Sequence, residues 1–336
     1  MVVTIRDLAE KLDLSITTVS RALDGYDDVA EDTRERVIKA AQELGYEPSY
    51  AARRLRRKRS DSIGYILPTN APRFSDPFYV NFLTGLCDEV ALQHLDLLVT
   101  SCAPYSEMEI KQYRQWVQSG RVDGIVINRT RVRDWRIEYL SKNKIPFVSL
   151  GRDESAFEYP CIEINDTKGV RELVTHLAGK GHHRIAFIGT QPDLVVHVDR
   201  FNGYRAGLQA AQIAFDPKLV REGNLTERSG YAAAKELLEL PLPPTAIIGC
   251  NDLTALGVLR AAKEKGLYVG TQLAIAGYDG IKETEYTDPP LTTLYQPTYE
   301  IARDLVKMLL ERVEGKSSEA NHKTIDPELV IRASTG

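Results

Sequence analysis

TIRDLAEKLDLSITTVSRALD, residues 4–24, holds two helical patterns with three residues between them. Ile5, Leu8, Ala9 and Leu12 recur at i, i+3, i+4 and i+7, which predicts a short amphipathic helix over 4–11 with Thr4 as its N-cap. Ser15 caps the second pattern, in which Val19, Ala22 and Leu23 share a face while Thr17, Thr18, Ser20 and Arg21 lie mainly on the other. Only DLS separates them, which leaves room for a tight turn alone. A third pattern starts at Val29, repeats through Val37, Ala40, Ala41 and Leu44, and closes at Gly45, a residue suited to a helix C-cap. Three short helices, the first two joined by a tight turn, make a helix-turn-helix module whose second helix is built to enter a major groove. A small three-helix protein-interaction domain shares that pattern, and the helices alone leave it open.

The next stretch is AARRLRRKRS, residues 51–60, in which Leu55 is enclosed by Arg53, Arg54, Arg56, Arg57, Lys58 and Arg59. Adjacent cations repel one another and call for a polyanion. The distribution of charge is more telling than its sum: the whole chain carries -4, residues 1–47 hold six Lys/Arg against eleven Asp/Glu, and residues 48–60 hold six cations and no acid. A basic stripe of this kind is the electrostatic footprint of phosphate binding.

At 336 residues the chain exceeds one core and implies two or three domains. Runs such as IGYIL and AIIGC are strand-length, too short to span a bilayer. MVVTIRDLAEKLDL carries charges where a signal peptide is apolar, so a cytoplasmic protein is expected, without a membrane. Cys87, Cys102, Cys161 and Cys250 form no CxxC pair and read as isolated thiols rather than metal ligands or disulfides. From Ile63 onward the runs IGYIL, LDLLVTS, GIVIN, PFVSLG, CIEI, RIAFIG, AIIGCN and LAIAGYD alternate with helical patterns. Strands so apolar are buried on both faces, which predicts parallel sheets covered by helices and organised as two units.

The wording of TIRDLAEKLDLSITTVSRALDGYDDVAEDTRERVIKAAQELGYEP, and of PSYAARRLRRKRSDSIGYILP after it, strongly resembles the DNA-binding module and hinge of the LacI family of bacterial transcription regulators. HHRIAFIG, RFNGYRAGL, CNDLTALGVLRAAKEKGL, IAGYDG and PPLTTLYQP resemble the family's core. The resemblance implies an all-α helix-turn-helix domain over 1–47, a hinge over 48–60 and an effector-binding, dimerising core over 61–336. That core is of the type I periplasmic-binding-protein kind, with two doubly wound parallel-sheet α/β subdomains, one of about 61–162 plus 295–325 and one of about 163–291 plus 326–336. Thr4, Ser15, Ile16, Thr17, Thr18, Ser20 and Arg21 are its implied DNA contacts, with Ile16 and Thr17 at the positions that select the operator. In the hinge, Ala52, Arg53, Leu55 and Arg56 are implied contacts, and Leu55 occupies the place of a leucine that wedges into the minor groove. Three positions depart from the pattern: Asp13 where Gly is common, Asp24 where Asn is common, and Ser49 for Asn at the hinge start. Asp tolerates the left-handed backbone and Ser can cap a helix, whereas a carboxylate at 24 opposes a phosphate contact.

In open α/β sheets ligands bind beyond the carboxyl ends of strands. Asn128, Arg152, Asn251 and Asp279 follow such strands, and Arg200 opens a helix. By resemblance Arg200, Asn251 and Asp279 are recurrent effector contacts, while Asp76, Phe78, Tyr79, Asn128, Arg129, Thr130 and Arg152 lie in loops that vary with the effector. Phe78, Tyr79 and Trp135 offer faces on which a pyranose can stack; Asp134 is a further loop candidate, and Asp166 and Asp252 read as helix caps. NRTRVRD and VSLGR resemble the oligosaccharide and glucoside branches, so a disaccharide or larger glycoside is the first expectation, a monosaccharide the second and a purine the third. No HExxH, GxSxG, P-loop or GxGxxG occurs, so neither an enzyme nor a cofactor is expected. The resulting expectation is a homodimeric repressor on a palindromic operator; a sugar-binding protein with no DNA role is the rival class.

Overall fold

Local chemistry sets the ends of the first three helices, α1 (Ile5–Leu12), α2 (Ile16–Leu23) and α3 (Glu31–Leu44). Thr4 and Asp7 close a capping box, with Thr4 N donating to Asp7 Oδ2 at 2.7 Å. Asp13 ends α1 at φ 54, the left-handed turn that its side chain tolerates. Ser15 Oγ accepts from Thr18 N at 3.0 Å to start α2, and Gly45 ends α3 at φ 61. Their apolar faces meet around Leu8, Val19, Val37 and Ala41, a core that fixes α2 relative to α1 and α3.

The structure, a computed structural model, describes residues 3–46, 59–69, 76–316 and 321–336. It divides into two units, Met1–Ser60 and Asp61–Gly336. Ala52, Arg53, Leu55 and Arg56 lie outside the described residues.

Among the described residues, the second unit contains two six-stranded sheets. The first is ordered β11-β5-β4-β3-β1-β2, from β1 (Ser62–Pro68), β2 (Asp96–Cys102), β3 (Gly124–Ile127), β4 (Phe147–Leu150), β5 (Cys161–Ile164) and β11 (His322–Ile325). The second is ordered β12-β10-β9-β8-β6-β7, from β6 (Ile185–Ile188), β7 (Val220–Arg221), β8 (Ala246–Gly249), β9 (Ala274–Asp279), β10 (Thr292–Tyr295) and β12 (Glu328–Val330). Pairing is parallel throughout except between β10 and β12, where the chain returns at the sheet edge. Both faces of each sheet are covered, which is why runs such as Gly124–Ile127 and Ala246–Gly249 are buried at every position. Helices α4 (Pro77–Leu92) and α11 (Thr298–Val313) close one side of the first sheet around Phe82, Leu86, Ile301 and Leu305. Helices α7 (Asp166–Gly179) and α8 (Val195–Ala210) close one side of the second around Val170, Leu173, Tyr204 and Leu208. The chain therefore passes between the sheets after β5, after β10 and between β11 and β12. β7 and β11 escape the periodicity because a two-residue strand is too short to show a pattern and HKTI is a largely exposed edge. No helix among the described residues is long and apolar enough to cross a membrane.

Helices α9 (Glu227–Leu238) and α10 (Asp252–Glu264) pack on the second sheet with their backbones almost in contact. A Cβ on Gly257 would lie 2.1 Å from the Glu227 carbonyl oxygen, and one on Gly230 would lie 2.1 Å from that of Thr254. Gly257→Ala gains about 1 kcal/mol of helix propensity, but the obstacle is backbone and cannot turn aside. We expect a net loss of about 2 kcal/mol, read as a lower thermal midpoint.

Candidate functional site

A cleft of about 810 Å³, partly open to solvent, lies where strands of both sheets end. Asn128 follows β3, Asp166 follows β5, Asn251 follows β8, Asp279 ends β9 and Gln296 follows β10. Each is delivered by a strand whose apolar run stops at the sheet edge, where the backbone no longer needs burial on both faces. Of the residues expected from the sequence, Asp76, Phe78, Tyr79, Asn128, Arg129, Thr130, Arg200, Asn251 and Asp279 line the cleft.

Arg200 is the centre of the charged groups. Its Nε donates to Asp166 Oδ1 at 3.0 Å, its Nη1 donates to the Cys250 carbonyl, and its Nη2 lies 3.8 Å from Asp279 Oδ1. The guanidinium lies 3.5 Å from the Tyr278 ring centroid, so one face is covered and its fork is held in position. Gln296 Nε2 donates to Asp279 Oδ1 at 2.8 Å. Asp279 adopts φ 109, a backbone region costly for any residue with a side chain, and that turn directs its carboxylate into the cleft. Burial pushes the Asp279 carboxyl up to about 7, with Arg200 opposing and Asp76 reinforcing the shift. Asp199 is raised to about 6 by burial and by Asp166 and Glu163.

Across the cleft, Asn128 is 2% exposed, and its amide makes no well-formed hydrogen bond among the described residues, the Tyr65 hydroxyl being its near polar neighbour. A buried amide left short of partners costs free energy, and Asn128 is part of the cleft lining. The loop that carries Asn128 is fixed from behind by a buried ion network. Arg136 Nη2 donates to Asp134 at 2.6 Å and to the Arg129 carbonyl at 3.0 Å, and Arg131 Nη2 donates to both Glu109 oxygens at 2.9 Å. Two backbone bonds join this loop to the far side, Val195 N to Thr130 O at 3.0 Å and Val132 N to Asp193 O at 2.8 Å. Phe78 is half-buried at the lining, whereas Arg129 sits 5.7 Å from the Tyr79 ring centroid.

Several readings need correction. Arg152 does not line the cleft; its guanidinium pairs with Glu158 at 3.1 Å. Trp135, half-buried at the start of helix α6 (Trp135–Lys142), packs against Tyr113 and Tyr139 and is not part of the cleft lining. Asp134 caps α6 and supports Arg136 rather than reaching the lining. Asp166 is not a plain cap: Asn165 caps α7, and Asp166 pairs with Arg200. Asp252 is not a cap either, because Asn251 performs that role. Asp252 is fully buried and accepts from Ile281 N at 2.9 Å and Thr293 Oγ1 at 2.6 Å, which positions the turn after Asp279. Burial and the nearby Asp279 push its carboxyl well above the usual range. The sequence reading omitted Glu163, Asp199 and Gln296; Gln296 satisfies the same strand-end rule after TTLY that selected Asn128.

In the first unit, Ser15, Ile16, Thr17 and Arg21 are exposed, Thr18 is half-buried, and Thr4 is exposed at its cap. Ser20 is only 8% exposed, with its hydroxyl toward Asp24, so it offers little surface. Arg21 Nε donates to Asp28 Oδ1 at 3.1 Å, and its guanidinium lies 4.7 Å from the Tyr26 ring centroid, which orients the fork at the end of α2.

A helix-turn-helix unit followed by a two-sheet core with a ligand cleft at its strand ends defines a DNA-binding regulator with a periplasmic-binding-protein-like sensor. Residues 4–49 match the model of bacterial regulatory proteins of the lacI family, and residues 174–335 match that of the periplasmic binding protein-like domain. The HTH-type transcriptional repressor CytR of Escherichia coli (strain K12) is 35% identical over 99% of this chain and 96% of its own. Two solved structures are similar over their whole length. The complex of the transcriptional regulator CelR with cellobiose has a TM-score of 0.77 at 29% identity, covering 99% of each chain. The lac repressor dimer bound to operator and the anti-inducer ONPF has a TM-score of 0.86 at 27% identity, covering 100% of this chain and 99% of that one. The chain belongs to the LacI family of bacterial regulatory proteins, and it is a DNA-binding transcriptional regulator.

Proposed function

We propose that the chain acts in the cytoplasm as a homodimeric repressor of carbohydrate-utilisation genes, without catalysis, and that a neutral disaccharide or larger glycoside in the cleft sets its affinity for a palindromic operator. The observation that carries the choice of effector is the polar composition of the lining. Among the described residues, Asp76, Glu163, Asp166, Asp199 and Asp279 line the cleft together with Arg129 and Arg200. A lining richer in carboxyl groups than in guanidiniums disfavours a phosphorylated ligand, while carboxyl groups, an amide and an arginine fork suit paired hydrogen bonds to adjacent hydroxyls. Half-buried Phe78 supplies an apolar face for a sugar ring. The cellobiose complex of CelR supports a disaccharide.

The test is calorimetric titration of the full chain with cellobiose and other disaccharides, glucose, and adenine as a control. Micromolar disaccharide binding with weaker glucose binding supports the reading; adenine binding without sugar binding overturns it. Operator affinity, measured with and without the bound sugar at fixed salt, should change by roughly 5- to 150-fold, the span of ordinary allosteric coupling.

The DNA side has its own prediction. Arg21→Ala should weaken operator binding by about 10- to 100-fold, the value of one bidentate base contact. Leu55→Ala should weaken it by at least about tenfold through loss of the wedge that favours bent DNA. Sugar affinity should be unchanged in both. Unaltered operator Kd in a gel shift at matched salt would count against the assigned contacts.

A further inference from the structure

Strands β5 and β11 pair in parallel with His322 opposite Cys161 and Thr324 opposite Glu163. Side chains alternate along a strand, so Cys161 and Glu163 share one face of the sheet, and the register places His322 beside them. The sulfur, an imidazole nitrogen and a carboxylate oxygen all lie within 4.8 Å of one another. His322 Nε2 and Glu163 Oε2 are in contact.

We propose that Cys161, Glu163 and His322 form a binding site for a zinc-type divalent ion. Cysteine sulfur, histidine nitrogen and carboxylate oxygen are each zinc donors, and three protein ligands with the fourth position open is a four-coordinate zinc pattern. Bonds of about 2.0 to 2.3 Å would place the donors roughly 3.5 Å apart, so the His322–Glu163 pair would open around the ion while the sulfur closes on it, adjustments that side-chain rotations supply. The donors also select the metal: a thiolate and an imidazole are poor ligands for magnesium or calcium, which take oxygen sets, and a carboxylate is a poor ligand for cuprous copper. Access is built in, since Cys161 is fully buried while the Glu163 and His322 side chains are 30% and 36% exposed. An ion would enter past the outer pair and reach the sulfur behind them. The donors sit on two paired strands, which hold their spacing more tightly than a loop does. Separation along the chain hides the group: Cys161 has no cysteine or histidine partner nearby in sequence, and only the pairing of the first sheet's last two strands brings His322 to it. The site shares Glu163 with the cleft lining, whereas Cys161 and His322 lie outside that lining, so their variants test the metal site without touching the effector contacts.

The test uses the full chain, stripped with a chelator and titrated with zinc against a chromophoric competitor and separately with cobalt(II). Expected are one ion per chain and, with cobalt, a thiolate charge-transfer band together with tetrahedral visible absorption. Cys161→Ser should abolish the band, and His322→Gln, on a half-exposed edge, should weaken zinc binding by more than roughly 100-fold, beyond the loss usual for an outer-shell partner. Cys87→Ser, at the exposed thiol, should leave both unchanged. A cobalt complex without the band, no stoichiometric zinc uptake, or zinc binding unaffected by Cys161→Ser and His322→Gln would overturn the proposal.

Discussion

Arg200→Ala is expected to weaken effector binding by at least about 100-fold and to reduce stability by roughly 3 to 5 kcal/mol. Both effects follow from where the guanidinium sits. It is 4% exposed, pairs with Asp166, approaches Asp279 and donates to the Cys250 carbonyl. Truncation leaves two carboxylates and a carbonyl facing one another without the cation that compensates them, which is the costly way to break a buried pair. For the ligand, two hydrogen bonds from a charged fork are each worth about 1.5 to 3 kcal/mol, and every 1.4 kcal/mol is a tenfold change in Kd. Arg200→Lys separates the two roles. A lysine keeps the charge beside Asp166 but lacks the planar fork, so it should restore more thermal stability than sugar affinity. Calorimetric titration read beside thermal melting checks this. A lysine variant that recovers affinity in full would show that the site uses the charge and not the fork.

The parts of the molecule that were legible in the sequence are those decided by near neighbours. Thr4 with Asp7, Asp13 at its left-handed turn and Gly45 at the end of α3 act within a few residues, so periodicity and cap chemistry located the first unit without reference to anything distant. The strands of the core were equally plain wherever burial on both faces demanded an unbroken apolar run, and the polar residues Asn128, Asn251 and Asp279 stood out because they end such runs. What escaped depends on long-range geometry. Asp166 looked like a cap because it precedes a helical pattern; its partner Arg200 is 34 residues away, and a shift of one position gives the cap to Asn165 instead. Trp135 and Arg152 are amphipathic side chains at loop ends, where sequence cannot say whether the ring turns to the core or which carboxylate captures the guanidinium. In the event Tyr113 and Glu158 decided the two cases.

Sugar affinity should rise as pH is raised from about 5 to about 7, by close to tenfold per unit, and then level off. Asp279 is the source. Its carboxyl is pushed up to about 7 by burial, against the pull of Arg200, so below that pH the free protein holds it protonated. A protonated carboxyl gives up part of its capacity to accept sugar hydroxyls, and a ligand that requires the ionised form must first displace the proton. Stability moves in the opposite direction. A carboxyl that is raised on folding binds its proton more tightly in the folded chain than in the unfolded one, so its contribution is present below the ordinary carboxylate range near 4 and is lost as pH rises through about 7. Asp252 is shifted in the same direction by burial and by Asp279, so the two titrate as a pair and the melting curve reports both. The ligand-free protein should therefore melt at a lower temperature at pH 8 than at pH 5, while the sugar binds more tightly at pH 8. Asp279→Asn removes the titrating group from the cleft: its affinity should be low and flat with pH. A slope that survives in Asp279→Asn would transfer the effect to Asp199, whose carboxyl is raised to about 6 on the same lining, and a pH-independent Kd in the unaltered chain would remove it from both.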